Sequence, residues 1–539
     1  MSKRFLKTVS LALAVFLMTA SLGACKKDSK KKADSGSVTK TVASSAKSTT
    51  SKKGTTTESK KNASTKTSKS SDKKDSQSNN SNGTGNFNSA ELEMTSADEM
   101  VELINNDPDK KPEVVNIDTD NMDLGGRTIK IVFDTSSGKS PGTKPTSVEL
   151  AQNPKAIVKY NTIENAKKKL NFNIEWKYRS VDNMVYEYLD ETAAGKKYAD
   201  ILLTATKRAF PKLAVKQLLV PMDNFINFES DPVYNFGTMS TGTKFMGRVW
   251  GFSTNPYGTG YVVFYNREIF AKEGLTDLQE LYEQGNWTWD TLLEYAKAAT
   301  HDTNGDGVVD QYGVLLSPLD IATHALILSN GADVFYYDDA SNKYLFAGNE
   351  PKAARALQLI NDLVSMKVTS PSSSVKFDKF PSAIVIGKIV SDALAYKQIG
   401  MNYGIAPMPK GPDVSSTQFV EGNGVDAYFI PLNTDPKIAA AVIKEAFTYW
   451  DPSKSEYMEK KDIMETSLLP YLSTQADVDW VIEHFQSPWV SHIKCFETFR
   501  ANFNTNIVQK VAWNESTPAS ALQAQASALQ SDLESALQK

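Results

Sequence analysis

Two cysteines and four histidines are all that 539 residues contain of the side chains that most often bind transition metals or cross-link a chain. With only Cys25 and Cys495 present, processing at Cys25 leaves no intramolecular disulfide, so stability has to come from a large core. The histidines, His301, His324, His484 and His492, are scattered without metal-ligand spacing. There is no nucleophile elbow, zinc motif or phosphate-cradling loop, so the usual signatures of hydrolytic and nucleotide-using enzymes are missing. No repeat of fixed period is evident, which excludes solenoids and propellers. The apolar run near the start, from about Val9 to Ala20, is only about a dozen residues long, whereas a hydrocarbon core needs about 20.

That run is instead a removed signal. Lys3, Arg4 and Lys7 precede it and small residues follow it. The sequence Leu22-Gly23-Ala24-Cys25 resembles a bacterial lipobox, which implies that the Cys25 thiol is acylated by diacylglycerol, with chains such as palmitate, and becomes the new N-terminus. Buried acyl chains contribute about 0.8 kcal/mol per CH₂, and two chains hold where one binds reversibly. The alternative is an ordinary secreted protein with a cysteine near its cleavage site.

From Lys26 to Asn86 the chain is Lys, Ser, Thr, Asn and Gly, without proline or tryptophan, and no core can form there. It reads as a flexible tether with a root-mean-square reach of about 40–45 Å. Fifteen lysines against five acidic residues in this stretch, with three basic residues in the leader, leave about −16 for the remainder of a chain whose total is −3. The tether favours anionic headgroups or wall polymers while the folded part repels polyanions, so nucleic-acid binding is not expected.

The remaining 450 or so residues exceed what one core usually serves, and two lobes are expected. After an acidic, helix-like stretch from Ser89 to Asn105, strand-like runs at 128–133, 173–178 and 198–203 alternate with helix-period segments at 154–170 and 181–194. Further strand-like runs lie at 260–265, 313–316, 403–406 and 426–430. This alternation predicts a mostly parallel α/β sheet.

The segments YADILLTATKRAFPKLAVKQLLVPMDNFI (198–226), GRVWGFSTNPYGTGYVVFYNREIFAKEGL (247–275), WTWDTLLEYAKAATHDTNGDGVVDQYG (287–313), YGIAPMPKGP (403–412) and GVDAYFIPLNTDPKIAAAVI (424–443) occur in this order. Together they resemble the extracellular solute-binding proteins of ABC importers, in the large oligosaccharide-capturing class (family 1 type). Ile389 and Val390 depart from that family's Gly-Lys-x-Ala-Met run. The resemblance implies an α/β, two-lobed, periplasmic-binding-protein-like fold (type II), with a ligand between lobes whose closure reports occupancy. The implied organisation is a signal at 1–24, lipidated Cys25 and tether over 25–90, an extension at 91–123, and a binding domain at 124–539. Lobe 1 is placed at about 124–257 and 427–475, and lobe 2 at about 261–425 and 476–539.

Asp302, Asn304, Asp306, Val308 and Asp310 set oxygen donors at alternating positions, with Gly307 at the sixth. Position twelve is Gly313, so this is not an EF-hand. Side-chain oxygens of the four polar residues and the Val308 carbonyl predict a structural Ca²⁺; Gln311 stands where related binding proteins sometimes carry a further carboxylate. A metal-free Asx-rich turn is the alternative.

A carbohydrate cleft needs planar hydrogen-bonding groups beside aromatic faces. Matching segments to the family gives as ligand contacts Thr204, Thr206 and Arg208 after a strand, Tyr257 and Thr259 at the hinge approach, Asp320, Tyr396, and the hinge loop Glu421-Gly422-Asn423. Trp289 behind an N-cap at Thr288 and Trp250 read as packing residues. Trp450, Trp480, Trp489 and Trp513 have no assignable place, Trp489 being the best outsider. The expected protein is a non-enzymatic, monomeric lipoprotein on the outer face of a cell membrane, Gram-positive in type. It binds a neutral oligosaccharide and delivers it to the importer's permease subunits. A tethered glycan-active enzyme and an adhesive surface protein remain alternatives.

Overall fold

The computed structural model describes residues 114–538 apart from 135–138, 153–155, 232, 236–237, 254–259, 370–381, 389–390, 423, 450–460, 463, 466–467, 473 and 486–488. Cys25, the tether and the helical expectation at 89–105 lie outside these residues.

Strands β1 (Arg127–Phe133), β2 (Phe172–Tyr178) and β3 (Ile201–Ala205) form a parallel core in the order β2-β1-β3. Helices Ala156–Lys169 and Val181–Ala193 connect them. β3 is buried along its whole length, as a continuous apolar run covered on both faces should be. Short strands β4 (Leu219–Val220), β5 (Lys244–Phe245), β6 (Arg248–Val249) and β7 (Gly251–Phe252) follow, and the chain then leaves this lobe. It enters the second sheet as β8 (Tyr261–Asn266), followed by β9 (Tyr312–Leu315), the hairpin β10 (Phe335–Asp338) and β11 (Lys343–Phe346), β12 (Ser382–Lys388), β13 (Tyr403–Ala406) and β14 (Val420–Glu421). β15 (Asp426–Pro431) returns to the first sheet beside β3, and β16 (Trp489–Val490) rejoins the second beside β14.

Both sheets are mixed, not mostly parallel. β15 runs antiparallel to β3, and β8 antiparallel to β12, β13 and β14. Connectivity explains this. A strand arriving through a short hinge enters at the end of the sheet nearest the other lobe, where β1 to β3 finish, so it must run against them.

Three apolar clusters hold the domain together. One face of the first sheet (Ile129, Ile131, Phe133) packs on helices Ala156–Lys169 and Pro436–Phe447. One face of the second sheet (Val262, Phe264, Val385, Ile405) packs on helices Ser391–Gln398 and Gln475–His484. The largest cluster joins the opposite faces of both sheets. Phe210 stacks on Phe245 at 4.6 Å, Phe245 lies 5.4 Å from Tyr344, and Tyr344 lies 5.0 Å from Phe496. Each such ring contributes about 1.5–3 kcal/mol by burial, so aromatic packing joins the lobes on one side.

Two boundaries move. Leu468 and Leu472 pack against Phe264 and Tyr403, and Lys397 Nζ donates to Leu472 O at 2.9 Å. The second segment of lobe 1 therefore ends before 468, not at 475, because these leucines cover the sheet of lobe 2. The end of the extension, from 114, belongs to lobe 1. Ile117 joins its core, and Thr119 Oγ1 donates to Glu445 at 2.6 Å. Trp250 is fully buried and Trp289 nearly so, with Thr291 N donating to the Thr288 cap. Among the described residues no helix is long and apolar enough to cross a membrane.

Candidate functional site

The chain passes from the first sheet to the second between β7 and β8, and back between β14 and β15. On the lobe 1 side, Asp134 immediately follows β1 and is 1% exposed. Its Oδ2 accepts from Thr204 Oγ1 at 3.0 Å and Arg208 Nη1 at 2.6 Å, while Oδ1 is buried with no hydrogen-bond partner among the described residues. Desolvation raises the Asp134 carboxyl despite the guanidinium beside it. Asp426 opens β15 opposite Ala205, so it stands at the same strand ends. It is exposed, yet desolvation raises its carboxyl too, against the pull of Arg208 and Lys207. Tyr178, the last residue of β2, is 45% exposed and tilts against Phe133 at 5.6 Å, which leaves an aromatic face at the edge.

Thr204 and Thr206, two of the three threonines chosen from sequence, do not face solvent. Thr204 serves Asp134. Thr206, fully buried, exchanges hydrogen bonds with the hinge: its N–H donates to Val425 O at 2.8 Å and its Oγ1 accepts from Val425 N at 3.1 Å. Gly424 has φ +75°, and a β-carbon on it would lie 2.6 Å from Thr206 Oγ1. This turn admits only glycine without strain.

On the lobe 2 side, Asp320 accepts from Arg500 Nη1 at 2.9 Å. With Tyr261, His324, Lys494 and Asn504 these residues line a small cavity. His324 Nε2 pairs with Asp333 at 3.1 Å. Its Nδ1 and Asn504 Oδ1 are buried without partners among the described residues. Glu421 is fully buried on β14, and a β-carbon on Gly422 would meet Tyr261 Oη at 2.6 Å and His324 Nδ1 at 2.8 Å. Glu421 is thus a buried hinge residue and not an exposed contact. A wider depression of about 600 Å³ lies along helix Trp289–Ala298, but its walls come from that one helix and nothing converges there.

Tyr396 is corrected by the structure. It is 8% exposed and packs edge-on to Phe264 at 5.1 Å, on the outer face of the second sheet that helix Ser391–Gln398 covers. Tyr257, Thr259 and Asn423 lie outside the described residues. Asp134, Asp426 and Tyr178 escaped sequence reasoning, which chose its residues by matching segments to the family, although each stands at or next to a strand end. Lys494 and Arg500 carried no such signal, because their neighbours at the cavity are far away in sequence.

The 302–311 loop is exposed, with Gly305 and Gly307 at φ +79° and +86°. Its donors are engaged internally. Asp302 accepts from Gly305 N and Gly307 N, both at 2.6 Å, Asn304 from Asp306 N at 2.9 Å, and Asp306 from Val308 N at 2.8 Å. Asp310 accepts from the Thr303 hydroxyl at 2.7 Å and its N–H at 2.8 Å, which holds its carboxyl below the usual range. Gln311 is buried and turned away, donating to Ala299 O at 2.9 Å, so it leaves the proposed ligand set. Among the described residues no three His, Cys, Asp or Glu side chains gather to hold a metal.

The whole fold has counterparts among solved structures. A cyclic α-maltosyl-1,6-maltose binding protein from Arthrobacter globiformis superposes with a TM-score of 0.53 at 15% identity, covering 76% of this chain and 100% of that one. The ABC substrate-binding protein Lmo0181 from Listeria monocytogenes, in complex with cycloalternan, gives 0.51 at 17% identity, covering 76% and 99%. At such identity the likeness is one of fold. No curated protein matches the chain in sequence. Residues 153–449, more than half of the chain and spanning the hinge crossings at 253–260 and 422–425, match the family model described as bacterial extracellular solute-binding protein. Because that model matches more than half of the chain, including both of these passages from one sheet to the other, this chain belongs to the bacterial extracellular solute-binding protein family.

Proposed function

We propose that this protein is the substrate-binding component of an ABC importer and captures an oligosaccharide between its lobes, without chemistry. The observation that carries the reading is a chain that passes repeatedly between two mixed sheets, in a member of this family. Cycloalternan and cyclic maltosyl-maltose, named for the two similar structures, support the oligosaccharide class. Hydroxyls pair with carboxylates and guanidinium groups, and sugar C–H faces stack on rings. Asp426 and Tyr178 on lobe 1, with Asp320 and Arg500 on lobe 2, supply those types. Ligand seated against both lobes favours the closed form, which the permease subunits read.

A thermal-shift screen of the purified protein tests this. Ligand at 100 times its Kd stabilises the folded state by about 2.7 kcal/mol. A shift with an oligosaccharide and no turnover is expected, and glycan cleavage by the protein alone overturns the binding-only reading. The lipid anchor at Cys25, the outer face of a Gram-positive cell membrane and a monomeric state complete the proposal. Mass spectrometry of the mature N-terminus checks the anchor. A structural Ca²⁺ at 302–310 is a separate proposal: the donor types suit calcium, and binding would draw Asp302, Asp306 and Asp310 away from their amide partners. Chelation is then expected to lower Tm, and an unchanged Tm removes the ion.

A further inference from the structure

Lys494 lies in the turn Ile493–Cys495, half-buried, and lines the cavity with Asp320, Tyr261, His324 and Arg500. Lys388 ends β12 in register with Tyr261, the first residue of β8. Residues opposite one another in an antiparallel pair carry their side chains on the same face, so Lys388 is turned toward the side on which Tyr261 meets that cavity. Lys207 comes from lobe 1, where helix Thr206–Ala209 packs on the turn Ile493–Cys495. Lys494 thus lines the cavity itself, Lys388 shares a sheet face with Tyr261 of its wall, and Lys207 sits on the helix packed against the turn that carries Lys494.

The carboxylates nearby are largely taken. Asp320 is held by Arg500, Asp134 by Arg208, and Asp333 by His324, while Glu421 is fully buried. Asp426, beside Lys207 and Arg208, is the exposed carboxylate that remains among the described residues. No hydrogen bond or ion pair engages the Lys207, Lys388 or Lys494 amine among the described residues. Burial, then the like charges of Lys388, Arg500 and Lys207, push Lys494 down to about 8, with Asp320 opposing. The region after the tether carries about −16 overall, and although the carboxylates named here equal the cations in number, the pairing leaves these three amines without an ion-pair partner among the described residues. Closing the lobes on a neutral glycan would press these amines together in a drier space, where their repulsion grows.

We propose that the cleft takes an oligosaccharide bearing an anionic substituent, a carboxylate, sulfate or phosphate on the sugar, gripped by Lys494 and Lys388 of lobe 2 and Lys207 of lobe 1. Charge-assisted hydrogen bonds from opposite lobes to one anion reward closure directly. The inference rests on the oligosaccharide reading above and replaces the neutral ligand expected from sequence.

Calorimetric titration of the purified full chain with trigalacturonate, a sulfated chondroitin tetrasaccharide, maltotriose and inorganic phosphate tests it. One acidic saccharide is expected to bind at least about 100-fold tighter than maltotriose, and phosphate alone far more weakly than that saccharide. Lys494→Gln is expected to lower that affinity about 10–100-fold, with the ligand-free Tm unchanged or raised, since a desolvated charge is removed. Lys388→Gln and Lys207→Gln, on other elements, give the same reading should the first variant fail to fold. Affinity for the acidic saccharide is expected to fall from pH 7 to 9 in the parent and not in Lys494→Gln, with Lys388, Arg500, Lys207, Asp320, Tyr261 and His324 as the surrounding groups. Maltotriose binding as tightly as the acidic saccharides overturns the anionic ligand and leaves the oligosaccharide reading standing. Phosphate binding while no saccharide binds, or no binding at all, overturns both.

Discussion

The two sides of the cleft share a plan and differ in what they leave free. In lobe 1 the polar strand-end groups mostly satisfy one another: Asp134 takes Thr204 and Arg208, and Thr206 takes the hinge amide at Val425. In lobe 2 the pairs Asp320–Arg500 and Asp333–His324 sit beside two lysines that have no ion-pair partner among the described residues. A closed network fixes geometry, whereas an open one keeps its energy for a ligand. Position at a strand end does not distinguish the two, because the same threonine or aspartate serves either purpose according to what lies across from it.

Breaking the closed side should have the largest effect. Arg208→Ala leaves the Asp134 carboxylate buried without its counter-charge, a change expected to cost about 3 kcal/mol in urea denaturation. A loss well under 1 kcal/mol would mean that the lobe 1 network is as open as that of lobe 2. Next comes the hinge beside it: Gly424→Ala forces a side chain to φ +75° against Thr206 Oγ1, at an expected cost of about 2 kcal/mol by calorimetry. A neutral result there would show that lobe 1 and the hinge do not act as one unit.

The open side predicts effects of the opposite sign. Lys494 is pushed down to about 8 by burial and by Lys388, Arg500 and Lys207 against Asp320. Between pH 8 and the ordinary lysine range the unfolded chain holds a proton that the folded chain has lost, so ligand-free stability should rise with pH there. Lys494→Met should reduce that rise by roughly 1 kcal/mol, after allowance for solvent screening. The smallest effect is expected at Asp426, whose carboxyl is raised by desolvation. Its folded-state carboxylate costs stability as pH climbs through its raised pKa, so Asp426→Asn should lift the ligand-free Tm slightly at neutral pH and leave it unchanged in acid. A fall in Tm instead would place Asp426 in the closed network with Asp134.

Much of the fold was legible because local composition decided it. The β-branched run of β1, the mostly apolar run of β3 and the capped helix opening at Trp289 each carry their own signal, and β1 and the helix form where the sequence puts them while β3 begins three residues later. Strand direction was not legible. The antiparallel sense of β8 and β15 follows from the end of the sheet at which a hinge delivers the chain, and no residue within either strand encodes that. The same holds for Leu468 and Leu472, whose apolar character predicts burial but not which lobe they cover.

By itself the sequence determined the α/β class, the two-lobe size, the charge contrast between tether and domain, and an ordered set of segments sufficient for the family. These are properties of composition and of neighbours along the chain. Only the tertiary structure decided that Thr206 and Glu421 are buried hinge residues, that Tyr396 is core, and that Lys494 lines a cavity with Asp320 and Arg500. The reason is physical. Whether a polar group is free for a ligand depends on the partner across from it in space, and those partners here lie as far as 219 residues apart, as Thr206 and Val425 do.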